Sequence, residues 1–91
     1  MWSKNKKSMN EAERAHVSRI KEMACGVCDS PGPSEAHEIE QGHWFTSMPL
    51  CADCHRGGFN GIHGQARIWD VKKMTEMSVL NETIKRIIGI K

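Results

Sequence analysis

The chain has 91 residues, 38% of them hydrophobic, with four cysteines and a formal net charge of +2. That length gives a single domain, 1–91, near the size at which an apolar core alone leaves only marginal stability. No apolar run approaches the length of a membrane span and no secretory leader is legible, so no membrane association is expected and the chain reads as cytoplasmic.

Residues 1–9 read as a flexible polar arm. Residues 1–24 carry Lys4, Lys6, Lys7, Arg14, Arg19 and Lys21 against Glu11, Glu13 and Glu22, a local excess of three positive charges. Such an arm either meets phosphates or keeps the terminus soluble. Asn10 is placed to cap a helix running to about Met23, with Glu13 completing a capping box. Ala12, Ala15, Ile20 and Met23 would line its buried face, with His16 beside them on the surface or half-buried.

Between Cys25 and Pro33 the composition turns to Gly, Pro, Asp and Ser, the signature of a knuckle and a turn. Residues 34–40 have strand character, Gln41 and Gly42 mark a turn, and 43–50 read as a second strand that pairs with the first. Cys51 opens a short helix broken by Gly57, Gly58 and Gly61, and 64–69 make a further helical turn or two. In the C-terminal segment, 75–89, Thr75 caps a final helix from Glu76 to about Ile88, closed by Gly89. Met77, Leu80, Ile84 and Ile87 recur on it at helical spacing and are expected in the core.

All four cysteines lie in two Cys-x-x-Cys pairs, Cys25 with Cys28 and Cys51 with Cys54, separated by 22 residues. Each turn lets two thiolates reach one ion, and two such turns close a tetrahedral zinc shell with no open position. Such a zinc contributes an apparent ~10–16 kcal/mol in small fingers, enough to support a core of this size. Two disulfides are the alternative, and this spacing suits them poorly. A closed shell does no chemistry, so chemistry must come from the nearby histidines: His37, His43, His55 and His63.

Knuckle, hairpin and a helix carrying the second pair form the layout of a treble-clef zinc finger. Here Pro49-Leu50-Cys51-Ala52-Asp53-Cys54-His55 resembles the closing motif of the HNH endonucleases, and Ala36-His37-Glu38-Ile39 is similar to the Ala-His-His-Ile segment of their first strand. The run from His55 to Gly64 looks like the Cys-His-x-Gly…Gly-Ile-His-Gly segment of small phage-type nucleases of the recombination-enhancement group. The likeness covers the motif core, 25–69. It implies a small α+β fold: a treble clef with a ββα-metal core, flanked by an N-terminal and a C-terminal helix. It further implies DNA hydrolysis, in a host cytoplasm if the chain is phage-encoded, and allows an activating protein partner.

By the same resemblance Cys25, Cys28, Cys51 and Cys54 hold structural zinc. His37, His55 and His63 would hold a second, catalytic divalent ion, magnesium or manganese, with zinc the alternative. The family's adjacent histidine pair is His37-Glu38 here, so Glu38 takes the general-base slot if His37 is a ligand; otherwise His37 is the base. Arg56, Arg67 and the arm residues Lys4, Lys6 and Lys7 would meet DNA phosphates. Thr46 stands where the family has its middle Asn, and His43 either compensates for that change or is a strand-surface residue beside Trp44. The departures leave a second reading open, a non-catalytic zinc module that binds DNA or a protein. The loop from His55 to His63 holds three glycines, each costing ~1 kcal/mol in a helix relative to Ala, so it is expected to bend His63 back to His55.

Overall fold

A computed structural model describes residues 8–89, so Lys4, Lys6 and Lys7 lie outside the described residues. These residues form a small α+β structure with one two-stranded antiparallel sheet and four helices. No described helix is long and apolar enough to cross a membrane.

Helix α1 spans Glu11–Lys21 behind the expected capping box: Asn10 Oδ1 accepts the Glu13 N–H, and Glu13 Oε1 accepts the Asn10 N–H, each at 2.8 Å. Its buried face differs from the expected one. Val17 and Ile20 are buried, Met23 is half-buried, and Ala12 and Ala15 are exposed. The larger side chains won the core-facing positions, since a methyl group has little apolar area to remove from water.

Strands β1 (Glu35–Glu38) and β2 (Ser47–Leu50) pair in a register that sets His37 opposite Met48. Both are shorter than expected. Residues 39–46 form the connection, so His43 and Trp44 lie on a loop and not on a strand. That loop is closed by the Ile39 N–H bond to Thr46 O, and by Thr46 Oγ1 donating to His43 O at 3.1 Å. Every residue of β2 is buried, because α1 and α4 both pack against it. Pro49 costs this two-stranded sheet little, since each strand has an unpaired edge. Its carbonyl accepts the Gly26 N–H at 2.8 Å and ties the first cysteine knuckle to the sheet.

Helix α2 (Ala52–Arg56) starts at Cys51, whose Sγ accepts the Cys54 N–H. After α2 the chain doubles back, with the Ile62 N–H on Cys54 O at 2.9 Å and the His63 N–H on His55 O at 3.1 Å. That return needs glycine: a Cβ on Gly61 would lie 2.5 Å from Gly57 N, and one on Gly64 2.5 Å from Gly57 O. Helix α3 (Arg67–Val71) begins later than expected, behind Ala66 in the left-handed region. Its Trp69 is buried, and the indole N–H donates to Cys54 O.

Helix α4 (Glu76–Ile87) has the Thr75 cap, reciprocated by Ser78. Its core face is rotated from the expected stripe. Val79, Leu80 and Thr83 are buried, while Met77 and Ile84 are 65% and 45% exposed. Thr83 can be buried because its hydroxyl donates to Val79 O at 2.8 Å. This rotation sets Glu76 on the inward face, with Val79, Leu80 and Thr83 at helical spacing.

Candidate metal centres

Two clusters of ligating side chains flank α2. The first joins Cys25, Cys28, Cys51 and Cys54, whose sulfurs all lie within 4.8 Å of one another. Cys28 Sγ and Cys51 Sγ are 3.7 Å apart, far beyond a disulfide bond of ~2.05 Å, and all four thiols are free. Cys25 Sγ receives the N–H groups of Val27 and Cys28, the backbone turn that lets two sulfurs of one knuckle face a common point. Burial pushes the Cys51 and Cys54 thiols up. Burial also opposes ionisation of Cys28, but hydrogen bonds from Ser30 and the neighbouring thiols outweigh it and bring that group to about 7. Cys25 and Cys54 are buried and Cys28 and Cys51 half-buried, so the four would ionise together only around a cation, and a metal such as zinc fits this set of sulfurs.

The second cluster joins His37 from β1, His55 from α2 and His63 from the glycine-bound return. One ring nitrogen from each lies within 4.8 Å of the others, and the ring centroids are 4.9–5.0 Å apart. Two carboxylates orient two of these rings. His37 Nε2 meets Glu76 Oε2 at 2.6 Å, and His55 Nδ1 meets Glu35 Oε1 at 2.7 Å. Arg56 grips Glu35 through Nε and Nη2, and with His55 it holds that carboxyl down at about 2, ionised at any working pH.

The consequence is electronic. A ring proton on the nitrogen that faces each carboxylate would leave His37 Nδ1 and His55 Nε2, 3.3 Å apart, as the two nitrogens open to a shared cation. Two nitrogens bound tetrahedrally at ~2.0–2.1 Å from one ion would lie roughly 3.3–3.4 Å apart, so the separation suits shared coordination.

A cavity of about 440 Å³ opens over this cluster, lined by His37, His55, His63, Glu38, Gln41 and Glu76, among others. Glu38 Oε1 accepts the Gly42 N–H at 2.9 Å, and its other oxygen has no partner among the described residues. The seven clustered cysteines and histidines are residues that the sequence singled out. Sequence reasoning missed Glu35 and Glu76, and it assigned Arg56 to phosphate where the structure gives it Glu35. Arg67 is exposed, with its guanidinium 5.6 Å from the Phe59 ring centre, and His43 is exposed beside Glu40. No family model, curated protein or solved structure matches the chain.

Proposed function

We propose that this protein is a metal-dependent endonuclease of the HNH kind, a treble clef whose hairpin and helix hold a ββα-metal site and which hydrolyses DNA phosphodiester bonds. The observation that carries the reading is the convergence of three imidazoles beside a closed cysteine shell, under a cavity that Glu38 also lines. One ion organises the fold and the other is left with open positions, as hydrolysis needs.

An ion held by His37, His55 and His63 would polarise the scissile phosphate and steady the leaving 3′ oxygen. Glu76 and Glu35, bonded to the outer nitrogens of His37 and His55, aim those two rings at the site. With His37 occupied as a ligand, Glu38 is the base: its free oxygen takes the proton of the attacking water as the phosphorus–3′ oxygen bond breaks. An all-nitrogen donor set suits zinc and other late transition ions better than magnesium, which prefers oxygen ligands. Arg67 and the lysines of the arm supply phosphate contacts, and Arg56 acts through Glu35.

The exposed position of Thr46, where the family has an amide, supports the second reading, a zinc module that binds without cutting. Incubation of supercoiled plasmid with the protein and zinc, manganese, cobalt or magnesium separates the two. Metal-dependent nicking abolished by chelator is expected. Glu38→Gln should lower the rate about 10²–10⁴-fold with metal still bound. Intact plasmid with every ion would leave the binding module.

A further inference from the structure

A second hollow, about 360 Å³, lies where the 39–46 loop meets α1, lined by Glu13, Gly42, His43, Trp44, Phe45 and Thr46. We propose that it is a nucleobase-stacking subsite, which takes an unpaired base of the strand whose phosphate lies at the histidine cluster. This rests on the nuclease reading for its choice of nucleic acid and adds to it a preference for single-stranded or locally unpaired DNA.

Phe45 is 54% exposed and Trp44 half-buried, side by side on one loop. The loop is longer than a tight hairpin requires, and it spends that length presenting two aromatic rings. His16 braces Phe45 from α1, with ring centres 5.1 Å apart at 45°. The Nε2 of His16 is buried and is the one such side-chain polar atom without a hydrogen-bond partner among the described residues.

The chemistry of the walls selects the ligand. Among the described residues no lysine or arginine lines the hollow, so its described walls do not suit a phosphate. Its Glu13 carboxylate has Oε1 on the Asn10 N–H, His43 brings an imidazole that meets Glu40 at 3.1 Å, and the remaining lining is aromatic, hydroxyl and backbone. A neutral, flat, π-faced group fits such walls, and stacking on aromatics tolerates any base. Position supplies the link to catalysis. Gln41 lines the histidine cavity and Gly42 lines the hollow, while the Gly42 N–H holds Glu38. One short turn therefore walls both spaces, and a strand with its phosphate in the first can lay a neighbouring base in the second. A base stacked within a duplex cannot enter without leaving its partner.

The test measures anisotropy of dye-labelled, cleavage-resistant phosphorothioate strands with the zinc-loaded full chain. A short oligothymidylate is compared with an abasic strand of equal length and with the matching duplex. The thymidine strand should bind about 5- to 150-fold more tightly than the abasic one. Phe45→Leu should erase that difference while leaving abasic affinity unchanged, and Phe45→Tyr should restore it. Phe45 is exposed enough that neither change threatens the fold. Equal binding of thymidine and abasic strands by the parent, or equal weakening of both by Phe45→Leu, overturns the subsite. Cleavage is scored separately: a strand bound through Phe45 with no plasmid cut in any metal sinks the nuclease reading alone. Plasmid cutting with no Phe45 dependence of strand binding sinks the subsite alone.

Discussion

Cys51→Ser leaves a chain that no longer unfolds cooperatively. Cys51 contributes one of the four clustered sulfurs and also caps α2, so its loss strikes the cysteine cluster and the helix that carries Cys54 and His55. The core around it is small: Met48, Leu50, Trp69, Val79 and Leu80, joined by Cys25, Val27 and Cys54. Two of those eight buried residues are themselves clustered cysteines, so core and metal shell are one structure. A zinc contributing an apparent ~10–16 kcal/mol matches or exceeds the ~5–15 kcal/mol net stability of ordinary domains. Calorimetry of the variant, and of chelated, reduced parent protein, should show no sharp transition. A metal-free protein that melts where the zinc-loaded one does would mean that packing alone holds the fold.

On the proposed nuclease reading, His55→Ala should separate catalysis from folding. The imidazole is the meeting point of the second cluster, facing His37 with one nitrogen and Glu35 with the other. Its removal takes a ligand from the centre of the set and should weaken or empty the site. Because metal-ion stabilisation of the transition state is worth several kcal/mol and each ~1.4 kcal/mol is tenfold, the nicking rate should fall about 100-fold or more. Stability should change by less than about 1–2 kcal/mol, since Arg56 still holds Glu35 and the four cysteines are untouched. Plasmid cleavage and thermal melting on the same preparation check both halves. A variant that cuts like the parent removes the histidine cluster from the chemistry.

The clustered cysteines and histidines were legible because a metal-binding pattern has local spacing in a sequence. Two Cys-x-x-Cys turns, and a histidine directly after Cys54, announce themselves wherever the rest of the chain goes. The glycines between His55 and His63 were legible for a related reason, since they make a helix costly and a return cheap.

What supports the ligands was not legible. Glu35 and Glu76 act across 20 and 39 positions of chain, a reach that no local pattern encodes. Glu76 also had an innocent explanation, as an acidic residue in the first turn after the Thr75 cap. The stripe on α4 hid it further. Met77, Leu80, Ile84 and Ile87 fit helical spacing as well as Val79, Leu80 and Thr83 do, and only packing against β2 decided between them. Had Thr83 been read as a self-satisfied buried hydroxyl, the rotated face would have put Glu76 inward. The 39–46 loop was misread because His43, Trp44 and Phe45 have strand propensity, which the tertiary context overrode.

Cobalt titration of the metal-free, reduced chain tests most directly whether two metal centres of different kind flank α2. The first equivalent should produce intense thiolate-to-cobalt charge-transfer absorption from the cysteine shell. The second should add only weak d–d bands of nitrogen coordination, and His55→Ala should lose that second step while keeping the first. One equivalent bound by the parent, with an identical spectrum in His55→Ala, would contradict the account.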